Sequence, residues 1–308
     1  MNPLIVCIGA MLVDELFYCQ QNVVAGTSNP AVVNRSPGGV MRNIVHHLVL
    51  LDIPVEFITV AGNDADGEWL MKNCSESGIS MSHTMIAECN TGKYAALLNP
   101  DGSLFAAAAV NPSEEFLTIS FLQSKGHLLD KATMIVADTN LNINVLEWLI
   151  AYCKTSNKLL IIEPVSVAKA KKLSAIDLNG LYMITPNEDE LLSLSKQHNQ
   201  KDDICRELFD KGVKNVWLRK DAEGSEMISA NGCQHLAAPH INVKDITGAG
   251  DAALAAWIAA YTLGMAPKQC MLAAHTMAAG VLQVEGAIDK SITQNKLIEA
   301  IKKYYPNE

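Results

Sequence analysis

The sequence predicts an α/β protein: a doubly wound parallel sheet flanked by helices, with a small β-sheet as a lid. Three observations predict it. From Met134 onward, short apolar strands alternate with helical stretches, the pattern of a parallel sheet covered on both faces. The continuous apolar run from Leu4 to Gly9 reads as a strand buried on both sides. Between these regions, residues 20–36, Lys93 to Asn99 and Leu104 to Val110 read as strands without helices of their own. The expected organisation is a single unit over residues 1–308, its lid formed by about 17–36 and 91–111.

In chain order, the first strand runs into Asp14, a carboxylate in apolar surroundings, read either as a turn residue or as an acceptor for sugar hydroxyls. The polar stretch 20–36 reads as an exposed strand pair or flap. Ser36-Pro37-Gly38-Gly39 is a turn that lets a ligand approach the backbone. It opens a helix from Val40 to Leu51 whose core stripe is Val40, Ile44, Leu48 and Leu51. Arg42, Asn43, His46 and His47 lie off that stripe; the two histidines read as helix-surface residues, and Asn43 points toward whatever meets the helix start. Val55 to Ala61 is a strand, and residues 66–77 a helix closed by Gly78. Pro100-Asp101-Gly102 is a hairpin signal. Later strands are Met134 to Ala137, Leu159 to Ile162, Leu181 to Ile184, Asn215 to Leu218 and Met227 to Ser229. Helices cover 144–154, a stretch from Glu188, 251–263, 267–284 and 293–304. Asp138, Glu163 and Asn187 fall at carboxyl ends of strands, where such sheets bind ligands.

Asp245-Ile246-Thr247-Gly248-Ala249-Gly250-Asp251 is the stretch the chain is organised around. Its Gly-Ala-Gly turn precedes an alanine-rich helix. Unbonded amides and the helix dipole there form a site for an anion, above all a phosphate. Asp251 falls in the first turn, placed to take a proton from a hydroxyl attacking that phosphate. The bland alternative is a loop with an acidic helix start. Gly248, Gly250 and Ala253 also fit a dinucleotide fingerprint, but they follow no early strand. Asn187-Glu188-Asp189-Glu190 likewise has two readings: an acidic helix N-terminus, or a sparse Mg²⁺ site in which Asn187 and Glu190 act through water.

Composition excludes several classes. The chain has 308 residues, 49% hydrophobic and 19% charged, with net charge −9. This argues against a basic nucleic-acid surface. Eight cysteines are scattered without Cys-x-x-Cys spacing, which reads as free thiols in a reducing cytoplasm rather than zinc or disulfides. The most apolar stretch, Ala252 to Ala266, is shorter than the roughly 18 residues of a membrane span.

Three motifs in order, Gly38-Gly39 with Asn43, Asn187-x-x-Glu190, and Asp245-x-Thr247-Gly248-Ala249-Gly250-Asp251, resemble the ribokinase-type (PfkB) carbohydrate kinases over nearly the whole chain. The resemblance implies a doubly wound domain with a β-sheet lid, ATP and Mg²⁺ as cofactors, and a small-molecule substrate. It implies Asp251 as general base, and Gly248, Ala249 and Gly250 as donors to the transferring phosphate. Asp14, Gly38, Gly39, Asn43 and Asp138 then face the substrate. Asn187, Arg219, Gly224, Thr247, Gly248 and Gly250 face the nucleotide, and Glu190 with Asn187 serves Mg²⁺. Asp245 and Thr247 sit where several members bind a monovalent cation such as K⁺. A homodimer through the lid is also within the implied range.

Within the family, Ser28-Asn29-Pro30, the run from Pro37 to Ile44, the run from Ile135 to Asn140 and Glu163-Pro164-Val165-Ser166 resemble the pseudouridine kinases. That implies ATP-dependent phosphorylation of the pseudouridine 5′-hydroxyl, with Asn29 and Arg42 helping to choose the substrate. Two departures stand out: Arg219-Lys220-Asp221 replaces a small Thr/Ser-x-Gly turn, and Glu163 stands where that branch more often has Asp. The competing expectations are a kinase for ribose, adenosine or a ketose, and a sugar or nucleoside sensor without turnover.

Overall fold

The computed structural model describes residues 3–306, so the extreme ends of the 1–308 unit lie outside the described residues. Thirteen strands form two sheets among the described residues. The large one contains β1 (Ile5–Ile8), β4 (Val55–Gly62), β5 (His83–Ala87), β8 (Met134–Asp138), β9 (Leu159–Glu163), β10 (Met183–Ile184), β11 (Asn215–Arg219), β12 (Ser225–Ser229) and β13 (Gly232–Leu236). Its order is β13-β12-β11-β10-β9-β8-β1-β4-β5. β1 lies inside the parallel part, with Ile5 opposite Val55 on one side and Met134 on the other. All four β1 residues are buried, as expected of an apolar run that lacks alternation.

The two faces of that sheet carry separate cores. Cys7, Val136, Ile161 and Trp217 pack under Met41, Ile44 and Leu48 of the helix Val40–Leu50 and under the helix Ala249–Thr262. Val6, Ile8, Ile135 and Ile162 face Leu146, Leu149 and Ile150 of the helix Ile143–Thr155. Each large side chain so buried stabilises the fold by ~1.5–3 kcal/mol. The helix Ala249–Thr262 is buried from Ala252 to Ala260. Its alanines let it approach the helices Val40–Leu50 and Pro267–Val281 closely, and Trp257 stacks on Tyr261 with centroids 5.1 Å apart.

The structure corrects three expectations. The sheet is not wholly parallel: β12 pairs antiparallel with both β11 and β13, so a hairpin closes one edge. β5 is a further strand, parallel to β4. His46 and His47 are not surface residues but 4% and 0% exposed. The helix that carries them has a sheet on one side and the chain around Ala287 on the other, so its polar face is covered as well.

The small sheet contains β2 (Leu12–Cys19), β3 (Ala31–Gly38), β6 (Lys93–Leu98) and β7 (Leu104–Val110), in order β3-β2-β6-β7. The β6–β7 hairpin turns at Asp101-Gly102, where Gly102 N donates to Asn99 O. Every β7 residue is exposed. Charge ties this sheet to the helix Ala65–Glu76. Asp66 is paired with Arg35 and with Lys93, the latter at 2.9 Å, and Arg35 lies over the Trp69 ring. No described helix is long and apolar enough to cross a membrane.

Candidate active site

The start of the helix Ala249–Thr262 builds the centre of the site. Gly248 is its N-cap, left-handed at φ 74°, and no side chain caps it. The first intrahelical bond runs from Ala252 N to Gly248 O, so the amides of Ala249, Gly250 and Asp251 precede the helical ladder and are free to donate. Gly248, Ala249 and Gly250 are half-exposed, which leaves those amides reachable from the cleft. Asp251 follows in the first turn and accepts a 2.7 Å bond from Asn43 Nδ2. Burial pushes the Asp251 carboxyl up to about 7; the Asn43 bond opposes that, Glu163 adds to it, and Arg219 and Arg42 oppose it. A carboxyl that titrates near neutrality beside an anion hole is suited to accept a proton from an attacking hydroxyl.

The Gly38-Gly39 turn forms the opposite wall. Gly39 has φ 98°, and a β-carbon there would stand 2.6 Å from Ala10 O, so only glycine fits. The helix it opens carries Asn43 to Asp251, one bond joining residues 208 apart in sequence. Asp14 lies directly on Gly38: a β-carbon on Gly38 would meet its Oδ2 at 2.0 Å. Burial pushes the Asp14 carboxyl up to about 6, while the Arg42 guanidinium opposes the rise. Asp14 is half-buried, and acceptor oxygens in that position are available to hydroxyls of a ligand. We expect Gly38→Ala to displace this carboxylate and raise KM for the acceptor about tenfold or more, the loss of a charge-assisted hydrogen bond. KM for the nucleotide should stay near wild type, and an unchanged acceptor KM in initial-rate assays would remove Asp14 from the binding wall.

Behind that wall the charges are controlled by burial. Arg42 is 4% exposed; its Nη1 lies 3.3 Å from His46 Nδ1 and its Nε contacts Gly38 O at 3.5 Å. Burial and then the Arg42 charge push His46 down to about 3, and burial pushes His47 down to about 4. Both rings are therefore neutral at pH 7. His47 Nε2 sits 3.1 Å from Ala287 O, an acceptor only, so Nε2 carries the proton and donates.

At the start of the helix Glu188–Ser193, Asn187 and Glu190 form a reciprocal cap. Asn187 Oδ1 accepts from Glu190 N at 2.8 Å, and Glu190 Oε2 accepts from Asn187 N at 2.9 Å. The helix-start reading is thus realised, and it leaves Asn187 Nδ2 and Glu190 Oε1 outside the cap. Arg219 is beside them through the bridge between Asn187 and Arg219. Its Nη2 donates to Glu163 Oε1 at 2.8 Å and lies 3.6 Å from Glu190 Oε2. Glu163 Oε2 accepts from Thr185 Oγ1 at 2.5 Å. Burial, and next the Glu163 charge, raise the Glu190 carboxyl. Just beyond Glu163, Val165 has φ 66°, a left-handed conformation that costs a β-branched residue ~1–3 kcal/mol and is typical of functional turns.

A sequence profile of the pfkB family carbohydrate kinases matches residues 2–294. The chain belongs to that family. This pfkB-family member is an ATP-dependent phosphotransferase with an alcohol group as acceptor. It is 28% identical over 267 residues to the pseudouridine kinase of Escherichia coli (strain K12), covering 85% of this chain and 84% of that one. It is 30% identical over 200 residues to the pseudouridine kinase of Arabidopsis thaliana, covering 63% of this chain and 50% of the relative. The guanosine-inosine kinase of Exiguobacterium acetylicum is 24% identical over 261 residues, 82% of this chain and 86% of that one. In structure, the kinase superposes on Arabidopsis thaliana ribokinase complexed with ribose and ATP with TM-score 0.85 and 20% identity, covering 98% and 99% of the two chains.

Not every residue singled out in the kinase sequence reaches the cleft. Asn29 ties its own loop, its Oδ1 accepting from Val24 N and its Nδ2 donating to Val24 O and Thr27 O. Asp138 is fully buried, and its two oxygens accept from Ala10 N and Asn140 N; it clamps the exits of β1 and β8. Gly224 has φ 104°, and a β-carbon there would stand 2.0 Å from Leu236 O, so the β11–β12 turn accounts for it. Asp245 accepts from Thr247 N at 2.9 Å and Gly286 N at 2.8 Å, closing its turn onto the chain before Ala287; Thr247 is exposed. Glu163 was legible as a strand-end carboxylate and as a Glu in place of a more usual Asp, but its pairing with Arg219 required the fold.

Proposed function

We propose that the chain transfers the γ-phosphoryl group of ATP to the 5′-hydroxyl of pseudouridine, giving pseudouridine 5′-phosphate and ADP. The observation that carries the reading is the Asn43–Asp251 bond, which brings an acceptor wall and a phosphate-binding helix start to one carboxylate. The similarity to two pseudouridine kinases supports the choice of acceptor. Asp14 and Asn43 orient the sugar. Asp251 takes the proton of the 5′-hydroxyl as its oxygen forms the new bond to phosphorus. The bond from phosphorus to the β,γ-bridging oxygen breaks, and ADP leaves. Amides of Ala249, Gly250 and Asp251 stabilise charge on the transferring group, and Asn187 and Arg219 serve the nucleotide phosphates. Mg²⁺, when bound, neutralises phosphate charge. Glu190 and Glu163 fit it, since Mg²⁺ takes one or two carboxylates and completes its shell with water and phosphate oxygens. Acting as a lid, the small sheet excludes water from the reaction.

A nucleoside kinase for a purine acceptor is the second reading, favoured by the likeness to the guanosine-inosine kinase. ADP release across pseudouridine, uridine, guanosine, inosine, adenosine and ribose separates the two. We expect pseudouridine to lead in kcat/KM by roughly tenfold or more, the discrimination that hydrogen bonds to a base edge provide. A lead for guanosine or ribose would move the assignment to that acceptor, and binding without ADP release would replace the kinase by a sensor.

A further inference from the structure

Arg219 is held where its charge alone is disfavoured. A β-carbon on Gly250 would stand 2.6 Å from its Nη1, so the guanidinium lies against the first turn of the helix Ala249–Thr262, at the positive end of the dipole. What stabilises it lies on its other side: Nη2 is 2.8 Å from Glu163 Oε1 and 3.6 Å from Glu190 Oε2. Those carboxylates are 3% and 4% exposed, and two buried anions so close need a cation between them. The guanidinium supplies it without spending all its donors, for Nε is buried and has no acceptor among the described residues. Through Nη1 the same guanidinium reaches a helix start whose amides are also unspent. An anion arriving there would gain both, and the carboxylates would then lack their counter-ion.

We propose that Arg219 is an exchangeable counter-ion. In the free protein it neutralises Glu163 and Glu190; when a nucleotide binds, it turns onto the phosphates and releases both carboxylates to the accompanying divalent cation. This rests on the reading of the cleft as a Mg²⁺-nucleotide site and adds an order of events to it: Arg219 keeps the carboxylates closed to metal until phosphate draws it away. The alternative is a permanent ion pair with a structural role only.

Two affinities measured without an acceptor decide between them. Mn²⁺ binding to the nucleotide-free protein, followed by electron paramagnetic resonance, should be about tenfold or more tighter in Arg219→Ala than in wild type, and adding Glu163→Gln should reverse the gain. ATP binding in the presence of EDTA, followed by calorimetry, should be about tenfold weaker in Arg219→Ala. Equal Mn²⁺ affinities in wild type and variant, or unchanged metal-free ATP affinity, would overturn the exchange and leave a structural ion pair. If the alanine variant does not fold, Arg219→Gln removes the charge while keeping a donor, and both affinities are read on it with the same expectations. Neither measurement involves turnover, so the exchange can fail with the kinase reading intact. A wrong acceptor would show in the ADP-release panel and leave both affinities as expected.

Discussion

Replacing Asp251 by asparagine is expected to remove about two to four orders of magnitude of turnover, the contribution of a positioned general base, and to raise the melting temperature of the ligand-free protein at pH 8. Both effects come from one environment. Burial pushes the Asp251 carboxyl up to about 7 from an ordinary 3.8. For a group raised on folding, the contribution to stability is complete below its unfolded value and is lost as pH rises through the folded one. At pH 8 the ionised carboxylate therefore costs stability that a neutral amide of the same shape does not. The amide oxygen can still accept from Asn43 Nδ2, so the contact between the two helices persists. In the wild type, kcat/KM should fall about tenfold per pH unit below about pH 7, as the proton acceptor is itself protonated. ADP-release kinetics and thermal melts at pH 6 and pH 8 check this. Turnover within tenfold of wild type would remove Asp251 as the base, and a melting temperature unchanged at pH 8 would contradict the cost of its burial.

The helix start was legible because its signal is local: a Gly-Ala-Gly turn, an acid in the first turn and an apolar alanine run lie within one short stretch. The parallel centre of the sheet was legible for the same reason, since strands buried on both faces are continuous apolar runs. What escaped was set by partners distant in sequence. His46 and His47 lie off the stripe of Ile44 and Leu48, and periodicity alone assigns them to solvent; the chain around Ala287, to which His47 bonds, covers them. β5, His-Thr-Met-Ile-Ala, is a short edge strand with one buried residue, so alternation had little to mark. β12 was marked by Met227 to Ser229, but its partner β13 is a polar edge strand, although Asn231-Gly232 at its start is a hairpin signal. Glu163 and Arg219 are separated by 56 positions, and nothing in either neighbourhood announces the other. Asn187-x-x-Glu190 shows the converse: the structural and functional readings are compatible, because the cap uses only part of each side chain.

Gly248→Ala carries the second large expected effect, a loss of roughly 2–4 kcal/mol of stability with turnover down about 10²–10³. At φ 74° an alanine sits in the left-handed region, and its β-carbon would stand 2.5 Å from Ala287 Cβ and 2.7 Å from both Ala287 Cα and Ala287 O. That neighbour is backbone, and it is anchored: Gly286 N donates to Asp245 Oδ2, and His47 Nε2 donates to Ala287 O. Either that segment or the helix start must move, and the helix start carries Asp251 and the amides proposed to hold the phosphate. Gly250→Ala is the control for a mere change of size in the same turn. Its φ lies outside the left-handed region, and its β-carbon meets only Arg219, Nη1 first at 2.6 Å, a side-chain end that can shift slightly while Nη2 keeps its bond to Glu163. Its stability should therefore stay within about 1 kcal/mol of wild type. Denaturant melts and ADP-release rates on the pair measure the contrast. Equal stability losses in the two variants would mean that steric crowding, rather than the left-handed turn against Ala287, governs this helix start. A fully active Gly248→Ala protein would show that the amides beside it do not hold the transferring phosphate.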